Sequence, residues 1–269
     1  MKRTALLFTL LTLLTAALFV ADLAVGSVAV PLRDIRAALT GGACDPTVRD
    51  IIVKIRLLKA VTALFAGAAL AASGLQMQTL FRNPLAGPYV LGVSSGAGLG
   101  VALFLLGAPL LGVAGHSFVQ SLGIAGAAWL GAALVLGIVM AVSRRIKDIM
   151  VILILGMMFS SGVGAVVQIL QYLSREEALK AFVIWTMGSL GDVTAQQLTI
   201  LVPSIVVGLL LAVWTIKPLN LLLFGEEYAV TMGLNIRRSR GLLFLSTTLL
   251  AGTVTAFCGP IGFIGLAMP

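Results

Sequence analysis

Residues 151–173 read VILILGMMFSSGVGAVVQILQYL, a run of 23 residues without a single charge. About 20 apolar residues in a helix span the hydrocarbon core of a bilayer. A helix is the form expected here because it satisfies every backbone polar group internally, and nothing in the chain shows the weak alternation of a membrane β-barrel. The polar residues of the run are ordered. Met157, Ser161, Gly164, Gln168 and Gln171 recur at spacings of 4, 3, 4 and 3 and so share one helical face. That face is polar yet uncharged. It suits either hydrogen bonding and small-residue packing between helices, or a wet pathway whose glutamines and serine adapt to a bulky solute of either charge sign.

The rest of the chain repeats the pattern. Of 269 residues, 59% are hydrophobic and 10% charged, and the mean hydropathy is +1.11. Soluble domains carry about 25% charged residues, so this composition indicates a membrane protein. The net charge of +8 lies in short clusters between apolar runs rather than along one face, which favours a lipid bilayer as partner over nucleic acid. Spans are expected near 5–25, 57–80, 89–112, 118–142, 148–172, 197–216 and 241–258. The fold class is therefore all-α, a polytopic inner-membrane helical bundle, and residues 1–269 read as one transmembrane domain. The charged, apolar N-terminus resembles a secretory signal with small residues near Ala24 to Ala29, but its run is long enough to span. We read it as an uncleaved first helix. Lys2 and Arg3 place the N-terminus in the cytoplasm, and alternation then puts Arg82, the trio Arg144, Arg145 and Lys147, and the segment from Lys217 to Arg240 on the same side. Residues 26–56 break the rule, with Arg33, Arg36, Arg49, Lys54 and Arg56 outside.

Several chemistries lack their residues. There is no GxxxxGK[ST] loop to grip ATP, no HExxH or His/Cys cluster, and the sole histidine is His116. Cys44 and Cys258 lie far apart without CxxC spacing, which signals neither a disulfide framework nor a metal site. Apart from Asp22, and from Lys59 and Asp148 at span ends, no charged residue falls within an expected span, whereas ion-coupled carriers keep such costly groups for function. Energy for any transport is therefore expected from a partner. GVSSG at 92–96 fits the GxSxG of serine hydrolases, but Ser94 and His116 stand at opposite ends of one expected span, roughly 30 Å apart at 1.5 Å per residue. Gly92, Gly96 and Gly100, at i, i+4 and i+8, instead suggest close helix approach.

Ser73, Gln76 and Thr79 lead along the second span into FRNPLAGPYVLG at 81–92. Pro84 disfavours helix at Asn83 and Pro88 repeats the block, so the helix must end there. At these residues a family pattern emerges. GAALAASGLQMQTLFRNPLAGPYVLGVSSGAGLG (67–100) resembles the FecCD family of ABC importer permeases, which carry iron-siderophore complexes, haem or cobalamin across the inner membrane. IWTMGSLGDVTAQQL (184–198) is similar to the family's external short helix and entry to the next span. KPLNLLLFGEEYAVTMGLN (217–235) resembles its cytoplasmic coupling segment, and GPIGFIGLAMP (259–269) its signature near an eighth span.

The resemblance implies a homodimer with about ten helices per subunit, an ATPase dimer below that binds ATP and Mg, and a periplasmic substrate-binding protein above. This chain would be a transport subunit, with no enzymatic activity and no cofactor of its own. Within the coupling segment, Gly225 can break the preceding helix and Gly233 can end the next, while Glu226 and Glu227 fall in its first turn. The string IRLLK (55–59) stands where the family presents cations to the binding protein's carboxylates, which implicates Arg56 and Lys59 in docking; lysine lacks the bidentate fork of arginine. The turn and the stretch after Val142 resemble pathway-narrowing segments and mark Asn83, Leu85 and Ser143 as cytoplasmic gate candidates, with Leu85 able to close a pore by dewetting. Family members continue past the GFIGL signature, so the chain reads as C-terminally incomplete, with seven to eight spans of about ten. The competing class is a secondary carrier with broken helices, independent of ATP.

Overall fold

The protein is described by a computed structural model covering residues 2–26, 28, 30–107, 117–143, 145, 146 and 148–269. His116, Arg144, Lys147 and the far end of the signal-like small-residue stretch, at Ala29, lie outside the described residues. Helices make up the described structure, and no strand occurs among those residues. They are α1 (Lys2–Ala24), α2 (Leu32–Thr40), α3 (Pro46–Asp50), α4 (Leu57–Phe81), α5 (Val93–Ala102), α6 (Ser117–Ser143) and α7 (Ile149–Leu173). After these come α8 (Glu176–Met187), α9 (Ala195–Trp214), α10 (Ile216–Leu222), α11 (Glu226–Thr231), α12 (Ile236–Cys258) and α13 (Ile264–Ala267). A π-helical stretch, Ile51–Arg56, joins α3 to α4, and another, Leu103–Gly107, extends α5.

Among the described residues, five helices are long and apolar enough to cross a membrane by length and composition: α1, α6, α7, α9 and α12. They fall on five of the expected spans, and α4 falls on the second. The third expected span, 89–112, is not one continuous helix. Pro88 opens a 3-10 turn over Pro88–Leu91, and Gly92, left-handed at φ 80°, separates that turn from α5. The seventh span starts five residues earlier than expected, at Ile236, because the Asn235 side chain caps α12 by accepting from Arg238 N at 3.1 Å. The short helix expected at 184–198 begins instead at Glu176, and Gly188, at φ 72°, ends it.

The chain divides into two compact units, residues 1–65 with 190–198 and residues 66–189 with 199–269. The first unit has a small core of Leu23, Val30, Ile35, Ala38, Ile52 and Ala60. Asp45 caps α3, its carboxylate accepting from Thr47 N at 2.7 Å and Val48 N at 3.4 Å, with Pro46 in the first turn.

In the second unit, α5 lies on α6 almost without side chains between them. A β-carbon on Gly100 would stand 2.0 Å from Ala127 O, and one on Gly131 would stand 2.0 Å from Gly96 O. Only glycine permits this approach, as the spacing of Gly96 and Gly100 suggests. Gly92 does separate work in its turn and faces Ser160 and Gly156 of α7. α12 is buried along most of its length and carries Ser246, Thr247, Thr253 and Thr255 inside. Buried hydroxyls and amides need partners, and Gln76 of α4 supplies several: Nε2 donates to Thr215 Oγ1 (3.1 Å) and Ser246 Oγ (3.0 Å), while Oε1 accepts from Thr247 Oγ1 (2.9 Å). The segment after α12 returns to α4, where a β-carbon on Gly74 would stand 1.9 Å from Gly265 O.

Candidate functional site

α4 ends at Phe81, and the chain turns at Arg82, left-handed at φ 49°. Arg82 N donates to Thr79 O (3.2 Å) and Asn83 N to Gln78 O (3.1 Å), the paired bonds of a Schellman ending. Pro84 explains the stop, since it cannot continue the helix. Asn83 then organises the turn: its Oδ1 accepts from Leu85 N (2.9 Å) and its carbonyl from Ala86 N (3.0 Å). Ala86, Gly87 and Pro88 are buried, whereas the Leu85 side chain is 71% exposed. The turn thus presents Leu85, beside the exposed Pro84, from a buried base.

The segment around α11 stands against this turn. Arg82 Nη2 donates to Leu223 O at 3.0 Å. Gly225, at φ 107°, starts α11, and Gly233, at φ 84°, follows its end. Glu226 and Glu227, both in the first turn of α11, part company. Glu226 accepts from Arg240 Nε (3.2 Å) and Nη2 (2.5 Å), while Glu227 is exposed. The sequence treats the two carboxylates alike; the structure assigns one to anchor the segment on α12 and leaves the other outward. Beside Glu227, the exposed rings of Phe224 and Tyr228 lie with centroids 5.7 Å apart. Their i, i+4 spacing was the available signal for this aromatic knob.

Ser143, at the end of α6, joins the same region. It lines a groove of about 420 Å3 with Ile146, Glu226, Glu227, Arg237 and Arg240, and Arg240 Nη1 also donates to Ile146 O at 3.4 Å. The turn at 82–92 thus contacts the 217–235 segment through Arg82, and Arg240 links that segment to the stretch after Val142. Nothing in the sequence pairs Arg82 with Leu223, or Arg240 with Glu226 and Ile146, because those bonds depend on tertiary placement.

The face of α7 points away from the protein's own packing. Met157, Ser161 and Gln168 are exposed, Gly164 and Gln171 half-buried, and a β-carbon on Gly164 would meet nothing within 4 Å. Ser161 Oγ donates only to Met157 O of its own helix, at 3.1 Å. Ile152, Gly156 and Val163 bury the adjoining face instead. Packing among the described residues therefore does not account for the polar stripe.

The pair expected for docking separates as well. Docking implies an exposed Arg56, but the residue is 7% exposed. Its Nη1 donates to Leu23 O (2.8 Å) and Ala24 O (3.0 Å), and its Nη2 to Val28 O. The guanidinium satisfies carbonyls at and beyond the end of α1, which a chain turning out of a helix leaves open. Lys59 pairs with Asp22 at 3.1 Å and is half-exposed. The exposed cations of this unit's basic segment are Arg33 and Arg36 on α2, Arg49 on α3 and Lys54, which pairs with Asp50 at 2.8 Å.

Comparisons with known proteins agree with this architecture. The model of the FecCD transport family matches residues 13–269. The hemin transport system permease protein HmuU of Yersinia pestis is 38% identical over 230 residues, covering 81% of this chain and 65% of that protein. The vitamin B12 import system permease protein BtuC of Citrobacter koseri is 37% identical over 216 residues, covering 80% and 63%. The chain thus spans under two thirds of either relative. A structure of a metal-chelate type ABC transporter in an inward-facing conformation superposes with a TM-score of 0.81 at 30% identity, covering 98% of this chain and 79% of the other.

Proposed function

We propose that this chain, which belongs to the FecCD transport family, is the permease subunit of an ATP-driven importer that moves an iron chelate, haem or cobalamin from periplasm to cytoplasm. A separate ATPase dimer binds ATP and Mg, a periplasmic protein delivers the cargo, and a second copy of this chain completes the pathway in the inner membrane, with the N-terminus cytoplasmic. The observation that carries this reading is the contact of the coupling segment with both narrowing stretches. ATP-dependent movement of α11 then reaches Asn83, Leu85 and Ser143 through hydrogen bonds rather than through lipid.

Each part has a physical role in this reading. Phe224, Glu227 and Tyr228 are the exposed surface that meets the ATPase, while Gly225 and Gly233 set where α11 begins and ends. Glu226 fixes the segment from behind. Leu85, opposed by its counterpart in the second copy, closes a pathway by dewetting. Met157, Ser161, Gly164, Gln168 and Gln171 line the route and hydrogen-bond a polar macrocycle or chelate without selecting a charge. On the outer face, Arg33, Arg36 and Arg49 steer an acidic binding protein, with Lys59 a weaker contributor because Asp22 already occupies it.

The test is uptake by the intact complex in proteoliposomes, with a panel of ferric siderophores, haem and cobalamin. Uptake of at least one cargo only with ATP and the ATPase present is expected. Equal uptake without them would instead establish the broken-helix secondary carrier.

A further inference from the structure

The end of α4 carries a residue that backbone sterics disfavour. Arg82 has the one positive φ among the described non-glycine residues. A β-carbon crowds the neighbouring carbonyl in this conformation, which is why helix ends of this type usually carry glycine. The turn itself gains nothing from arginine, so the gain lies in the side chain. Arg82 Nη2 donates to the carbonyl of Leu223, two residues before the glycine that opens α11. A β-carbon on Gly225 would stand 3.5 Å from Arg82 Nη1, so the guanidinium runs along the very boundary of that helix. At its other end, Arg82 is bonded directly to Asn83, whose side chain and carbonyl hold Leu85 and Ala86. The segment and the turn are therefore joined by one direct side-chain hydrogen bond.

We propose that Arg82 is a positioning residue that straps the 82–92 turn to the coupling segment, so that displacement of α11 is delivered to Asn83 and Leu85. This rests on the importer reading above. Arg240, through Glu226 and Ile146, ties the same segment to the stretch after Val142. Arg82 serves the opposite side, and its bond is the one that a single substitution removes without disturbing a buried charge.

Arg82→Gly is the informative variant, because glycine relieves the left-handed strain while deleting the guanidinium. In the reconstituted full complex, we expect ATPase association and hydrolysis within about twofold of the unsubstituted protein, and cargo moved per ATP reduced about tenfold, within the range of typical coupling energies. Arg82→Lys should recover part of the loss, since an ammonium reaches the same carbonyl with a single donor. A purely structural Arg82 makes the opposite forecast: the glycine variant transports as well or better, and that result overturns the strap. If the unsubstituted complex shows no ATP-driven uptake, the importer reading fails, and hydrogen exchange on the intact chain decides the strap separately. Faster exchange in Arg82→Gly at both 83–87 and 223–226 supports it; a change confined to 83–87, or none, overturns it.

Discussion

The α5–α6 contact and the outward face of α7 draw on the same small residues and use them in opposite ways. At the contact, Gly96, Gly100 and Gly131 bring two backbones together with no room for a methyl group. On α7, Gly164 sits in a stripe with Ser161 and Gln168 and opens onto empty space. Helical spacing of small and polar residues therefore identifies a special face without saying what covers it. The distinction comes from the neighbouring helix: α6 answers α5 glycine for glycine, and no described helix answers α7 in this way.

Substitution at the two glycines gives the largest expected difference. Gly100→Leu must push α5 from α6 and should destabilise the protein by about 3 kcal/mol or prevent its accumulation, as severe overpacking does. Gly164→Leu should change stability by less than about 0.5 kcal/mol. Thermal unfolding of the purified protein in detergent measures both. Equal destabilisation by the two would erase the difference between the faces.

The same opposition runs through the cations of the first unit. Arg56 is enclosed by carbonyl oxygens, whereas Arg33, Arg36 and Arg49 are exposed. Arg56→Ala should cost about 2 kcal/mol in stability, the worth of charge-assisted hydrogen bonds whose acceptors are left without donors. Arg33→Ala should leave melting unchanged and slow capture of the binding protein, with the loss shrinking as salt rises. Unchanged stability in Arg56→Ala, seen by thermal melting, would return that residue to the docking surface.

How far the sequence discloses this molecule depends on the range of the interaction. The long spans follow from apolar length, and Pro84 and Pro88 mark where α4 stops and the next turn opens. The caps at Asp45 and Asn235 escape that reading, so α3 is unforeseen and α12 starts earlier than expected. The glycine approach at Gly96 and Gly100 is visible because its spacing lies within one helix. Arg56, Glu226 and Arg82 were legible only as charges, since their partners are remote in sequence or are backbone carbonyls, which every residue possesses. Motif likeness could not tell Glu226 from Glu227, because only one of them finds Arg240.

The two glutamine environments sharpen the contrast at a smaller scale. Gln76 is buried and bonded to three hydroxyls across the second unit, while Gln168 is exposed. Gln76→Ala should destabilise by about 1–2 kcal/mol, the upper range for polar contacts between membrane helices. Gln168→Ala should leave stability within about 0.5 kcal/mol and lower the rate of cargo uptake, most visibly at limiting cargo. Paired melting and uptake assays separate these outcomes, and destabilisation by Gln168→Ala would place that residue in a packed interface instead.

The smallest effect belongs to the fully local contact at Asp45, which needs neither a facing helix nor a remote partner. Backbone and side-chain hydrogen bonds from Thr47, then the Val48 amide, hold its carboxyl below the usual carboxylate range. A depressed folded-state value means that the carboxylate's contribution is complete above the unfolded value, about 3.9, and is lost as pH falls through the lower folded one. Amide protection at Thr47 and Val48, corrected for intrinsic exchange, should therefore be flat from neutral pH to about pH 5 and decline only in stronger acid. Asp45→Asn should keep the cap while abolishing that acid dependence, because asparagine caps nearly as well without a titrating group. Asp45→Ala should lose the protection at every pH. A decline already under way near pH 6 would show that a different group controls this helix start, and that even the shortest-range contact in the molecule depends on its surroundings.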